Sequence, residues 1–115
     1  MAKTAADLVS AAKAEITEIS LEDAKALGAG EALFVDVREP PEWQDGTVDG
    51  AVCVPRGVLE WKSETEDALK DKSAPIVVYC KSGGRSALAA QTLKTLGFGN
   101  VKSLAGGYDA WSGKG

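Results

Sequence analysis

The segment Pro75 to Gly97 constrains the fold more than any other. Ile76-Val-Val-Tyr79 is the strongest strand signal in the chain, and Ser86 to Leu96 carries helical spacing at Leu88, Leu93 and Leu96 before Gly97. A strand, a tight glycine turn and a helix are therefore contiguous. Two further apolar runs, Ala32-Leu-Phe-Val35 and Ala51-Val-Cys-Val54, read as strands buried on both faces. Ile16 to Ile19 and Val101 to Leu104 complete the set of strands.

Helical signals separate these runs. Thr4-Ala-Ala-Asp7 reads as a capping box before Ala5, Leu8, Val9, Ala12 and Ile16, which places a peripheral helix over about residues 1–14. Ser20 repeats the capping signal for a helix with Leu21, Ala24 and Leu27 on one face, stopped by Gly28. Pro40 and Pro41 suit a first helical turn, so a short helix is expected at Glu42 to Asp45, ended by Gly46. The charged stretch from Lys62 to Ser73 reads as surface, and Tyr108 to Trp111 as a closing helix. Parallel crossovers need about a dozen residues, so strands alternating with helices predict a parallel sheet covered on both faces. The expectation is a single α/β domain over residues 1–115 with its core at about 16–112, built as a three-layer α/β/α sandwich. No repeat, linker or low-complexity segment interrupts it.

Composition excludes several functions. The net charge of -4 argues against a general nucleic-acid surface, and no apolar stretch approaches the roughly 20 residues of a membrane span. The N-terminal segment lacks the continuous apolar centre of a secretory signal, so a cytoplasmic protein is expected. Two cysteines, Cys53 and Cys80, are too few for a disulfide framework and favour a reducing compartment. There is no histidine, which removes Ser-His-Asp and Cys-His catalysis together with histidine-dependent zinc sites. No motif for a metal, nucleotide or flavin is found, and no cofactor is expected.

Cys80-Lys-Ser-Gly-Gly-Arg-Ser86 falls at the carboxyl end of a strand in such a sheet, where α/β proteins bind ligands. Gly83 and Gly84 permit a sharp turn whose amides converge on an anion, and amides at a helix N-terminus stabilise a thiolate without any histidine. Arg85 offers a bidentate fork for an oxyanion, Lys81 a mobile charge at the rim, and Ser82 and Ser86 hydroxyl hydrogen bonds. A free cysteine at a strand end is ordinarily a small buried hydrophobe. The six residues that follow Cys80 shift the balance to chemistry.

This loop resembles the active-site loop of the rhodanese family of sulfurtransferases. Asp36-Val-Arg38 with Glu39, Pro40, Glu42 and Trp43 is similar to that family's early signature, Gly50-Ala51 to Val54-Pro55 to its third strand, and Gly106-Gly-Tyr-Asp-Ala-Trp111 to its closing segment. The likeness spans about Ile16 to Trp111. It implies a five-stranded parallel sheet and a double displacement: Cys80 takes the outer sulfur of a donor such as thiosulfate as a persulfide, then yields it to a thiophilic acceptor. The expected partners are small sulfur donors and acceptors, with a desulfurase or an acceptor protein as the alternative if the chain is a protein-to-protein sulfur carrier. Thr47 stands where the family often has histidine, a departure that concerns the packing of that connection and not Cys80.

Other residues have plainer readings beside the chemical ones. Asp36 is expected to support the loop or Arg38; Arg38 is expected to form an ion pair with Asp36, Glu39 or Glu42 rather than meet substrate. Arg56 is as readily a solvated surface cation as a ligand for the donor anion. Cys53 reads as a buried inert thiol, with a resolving cysteine as the lesser reading, and Trp43, Trp61 and Trp111 as packing residues. A phosphatase of related fold is the third function class. Its loop uses five residues between cysteine and arginine, where this chain has the four from Lys81 to Gly84.

Overall fold

The computed structural model describes residues 2–113, the side chain of Ala29 excepted. Its elements run α1 (Ala5–Glu15), β1 (Thr17–Ile19), α2 (Leu21–Glu31), β2 (Leu33–Asp36), α3 (Pro40–Trp43), β3 (Val52–Cys53), α4 (Leu59–Thr65), β4 (Ile76–Tyr79), α5 (Gly84–Thr95), β5 (Val101–Leu104) and α6 (Gly107–Ser112). Single 3-10 turns at Arg56–Val58 and Asp67–Leu69 flank α4. All five strands are parallel, in the order β1-β5-β4-β2-β3, which puts β4 at the centre. The architecture is α/β, with helices on a five-stranded parallel sheet.

Strand alternation divides the core in two. Val35, Ile76 and Val78 face Leu59, Ala89, Ala90, Leu93 and Phe98, whereas Phe34, Val77 and Tyr79 face Ile19, Ala24 and Leu104. In register, Val35 lies beside Val78 and Asp36 beside Tyr79. Two faces buried by helices explain why β4 reads as an unbroken apolar run.

Several expectations require correction. The strand at Ala51–Val54 shortens to the two residues of β3 at the sheet edge, where Cys53 is exposed instead of buried. The third helix starts at Pro40, because both prolines accept its first turn, and its regular part ends at Trp43, earlier than Asp45. The expected stop at Gly28 holds: at φ 62° and ψ 178° it leaves the helical conformation and divides α2 into two helical segments. The stretch from Lys62 to Ser73 is not wholly surface, since Leu69 inserts into the core beside Leu59. Trp61 is 68% exposed and Leu8 50%, so neither is a packing residue. α1 has the expected capping box and lies on α5, tied by Gln91 and Lys94 to Glu15, with Ala12 as its buried residue. Among the described residues no helix is long and apolar enough to cross a membrane.

Candidate active site

β4 ends at Tyr79, and the next residue, Cys80, is 1% exposed at the carboxyl edge of the sheet's central strand. Gly83 takes φ 114° and ψ -8°, a left-handed conformation that caps α5 and turns the chain through the loop. The helix therefore starts two residues before Ser86, with the loop itself as its N-terminus. The Gly83 amide donates to Cys80 Sγ at 3.1 Å. Behind it, the amides of Gly84, Arg85 and Ser86 belong to the first helical turn, which has no intrahelical acceptors. Ser86 Oγ lies 3.6 Å from Cys80 Sγ and 2.8 Å from Ser103 Oγ, so a buried hydroxyl pair from α5 and β5 floors the site.

The loop is oriented from below by α6. Tyr108 and Asp109 donate their amides to the carbonyl oxygens of Cys80 and Lys81, at 2.8 Å and 3.0 Å. Gly107, at φ 59°, is packed so close that a Cβ there would stand 2.6 Å from Cys80 O and 2.5 Å from Lys81 O. With the carbonyls committed downward, the amides are free to face the thiol. In the sequence Gly107 reads only as part of a closing segment and Ser103 carries no signal, because contact across β5 and α6 is tertiary information.

The cations do not stand as expected. Arg85 does not hold its fork open for an oxyanion: its two terminal nitrogens meet Glu42 Oε1 and Oε2 at 2.7 Å and 3.0 Å. That hydrogen-bonded pairing raises the Arg85 pKa and holds the Glu42 carboxyl down at about 2. Lys81 Nζ, at the rim, is 3.3 Å from both carboxylate oxygens of Asp109. Ser82 is exposed beside Gly106 and Asp109.

Asp36 and Arg38 form a buried unit next to the loop. Asp36 accepts from the Arg38 amide at 2.9 Å and from its guanidinium down to 2.7 Å, while Arg38 also donates to Glu42 O and Gly46 O at 3.2 Å and 2.6 Å. Burial opposes the charge on Arg38, but Asp36 outweighs it and the pKa rises. The guanidinium lies 4.4 Å from the centre of the Tyr108 ring, which carries it to the edge of α6. The connection containing Thr47 is held without a histidine: the Tyr79 hydroxyl accepts from the Val48 amide at 3.0 Å, and Arg38 grips Gly46 O. Burial pushes the Tyr79 hydroxyl far above its ordinary pKa, so it remains a neutral hydrogen-bonding group.

Arg56 is outside the site, bonded to Glu60 and to Thr92 Oγ1. Cys53 is also separate. It pairs in register with Asp36, which pairs with Tyr79, so two strand spacings of about 4.8 Å part it from the β4 line, beyond the roughly 7 Å that a disulfide spans. The alternation of β4 moreover turns Cys80 to the opposite face. Partial burial, reinforced by the charge of Asp36, raises the Cys53 pKa. A resolving role toward Cys80 is thereby removed.

The arrangement is a buried thiol that accepts from the Gly83 amide at the carboxyl edge of a five-stranded parallel sheet. The family model described as "Rhodanese-like domain" matches residues 20–114. The thiosulfate sulfurtransferase GlpE of Pseudomonas entomophila is 35% identical over 99 residues, covering 84% of this chain and 85% of GlpE. MoeZ of Mycobacterium tuberculosis, named as a probable adenylyltransferase/sulfurtransferase, is 38% identical over 107 residues, covering 92% of this chain and 26% of MoeZ. The chain spans from 26% to 66% of the length of the first curated relatives it matches. A solved structure from Rhodopseudomonas palustris, titled a protein of unknown function and "Possible Tyrosine Phosphatase", superposes with a TM-score of 0.86 at 30% identity, covering 98% of this chain and 92% of that one. The chain belongs to the rhodanese-like domain family.

Proposed function

We propose that the chain is a sulfurtransferase in which Cys80 carries sulfane sulfur as a persulfide, loaded from thiosulfate or a similar donor and passed to a thiophilic acceptor. The observation that carries this is the Gly83 amide donating to Cys80 Sγ at the N-terminus of α5. The Cys80 thiolate attacks the outer sulfur of thiosulfate; the new S–S bond forms as the old one breaks, and sulfite leaves with the electron pair. The persulfide anion, one atom longer, extends toward the amides of the first turn of α5. Cyanide or a thiolate then attacks the outer sulfur, and the Cys80 thiolate departs with its electrons.

No general base is required, because the nucleophile and both leaving groups are anions, and this chain has no histidine to supply one. A closed recess favours a donor whose reacting atom is terminal, as in thiosulfate or a persulfide. The tyrosine phosphatase description of the Rhodopseudomonas palustris protein does not transfer to this chain: only four residues separate Cys80 from Arg85, and the Arg85 fork needed for a phosphoryl group is occupied by Glu42. The reading places the chain in a reducing compartment such as the cytoplasm, consistent with two free thiols.

Intact-mass measurement of reduced protein, after thiosulfate and again after cyanide, tests the proposal. One sulfur atom is gained and then lost in the wild type, and Cys80→Ser gains none. Failure of every persulfide donor to load Cys80 would sink it.

A further inference from the structure

Beside the Cys80 loop, carboxylates outnumber cations. A cleft of about 160 Å³ beside the loop is lined by Arg38, Glu42, Asp45, Lys81, Tyr108 and Asp109. Arg38 is paired with Asp36 in the interior, Arg85 with Glu42 at the half-buried edge, and Lys81 with Asp109 at the exposed rim. Asp45 adds a carboxylate. Two cations, Arg38 and Lys81, therefore share the cleft with three carboxylates, Glu42, Asp45 and Asp109, and among the described residues of the loop and cleft each cation has a carboxylate partner.

Two of these pairings are built into the backbone. Asp109 binds Lys81 twice, by its amide to the Lys81 carbonyl and by its carboxylate to the ammonium. Glu42 is anchored by accepting from the Glu39 amide at 2.9 Å while it grips Arg85. A dianion such as thiosulfate entering this cleft must displace a carboxylate from its cation or approach a net negative field. A donor with less negative charge meets neither obstacle.

We propose that Glu42 and Asp109 determine donor specificity: by masking Arg85 and Lys81 they weaken loading from dianionic donors and direct the site to persulfides borne on neutral or cationic thiols. This rests on Cys80 as the sulfur carrier. It assigns a function to Asp109, whose carboxylate accepts from the Lys81 ammonium. Loading from a cationic persulfide proceeds by the same exchange, with the carrier thiol leaving in place of sulfite.

The test compares rates of Cys80 persulfide formation, read by intact mass, from thiosulfate and from cysteamine persulfide as the cationic probe. Asp109→Asn and Glu42→Gln keep side-chain shape and hydrogen-bonding capacity. Each is expected to raise the thiosulfate rate constant by about tenfold relative to that for cysteamine persulfide. The gain from Asp109→Asn is expected to vanish in a Lys81→Gln background, since the unmasked amine causes it. An unchanged ratio of the two donors in both variants, or an equal gain without Lys81, would overturn the inference while leaving sulfur transfer intact. Absence of loading from either donor would instead remove the sulfurtransferase reading, and this one with it.

Discussion

Asp36 and Arg38 are 0% and 3% exposed, so each sits out of water with the other as its charge partner. Removing one partner strands the second. Asp36→Ala is expected to destabilise the domain by about 3–5 kcal/mol, measured by urea unfolding, because Arg38 would keep only carbonyl acceptors. Glycines separate in the same way according to what surrounds them. At Gly107 a Cβ meets the Cys80 and Lys81 carbonyls and φ is 59°, so Gly107→Ala must displace the Cys80 loop. Sulfur loading of Cys80 should fall by at least about tenfold, the cost of misplacing a reacting group. Gly30, in α2, has nothing within 4 Å of the same position and no positive φ. Gly30→Ala is expected to raise stability by about 0.4–1 kcal/mol in the same urea assay, because the unfolded chain loses freedom at no native cost.

Between elements, the Glu42–Arg85 pair ties α3 to the start of α5 across the mouth of the site. Its pH dependence follows from Glu42, whose carboxyl is held at about 2 against an ordinary 4.5, first by the hydrogen bonds from Arg85. A carboxyl depressed in the folded state binds protons more readily when unfolded. Its contribution is complete above pH 4.5 and disappears as the pH falls toward 2. Thermal melts of the wild type should therefore steepen in their loss of stability through that window, whereas Glu42→Gln should show a shallower decline. Both groups are partly exposed, so salt should reduce the difference between the two curves.

The molecule as a whole is stabilised by two apolar layers that β4 shares. Leu93 is wholly buried between α5 and the sheet, and Leu93→Ala is expected to cost about 2–5 kcal/mol by urea unfolding. Leu8→Ala, at a half-exposed site on α1, should stay within about 0.5 kcal/mol. The local determinants of this architecture were legible along the chain. The apolar run of β4, the glycines at 83 and 84 and the helical spacing after them specify a strand, turn and helix through contacts only a few residues apart, and that unit alone locates Cys80. The sheet order, the edge placement of Cys53 and the seating of Gly107 under the loop depend on residues brought together from distant segments. So do the partners of the cations: Arg85 meets Glu42 across 43 residues and Lys81 meets Asp109 across 28. A sequence shows that a charge is present, but folding decides which opposite charge is near enough to neutralise it, because Coulomb attraction depends on separation in space and local screening.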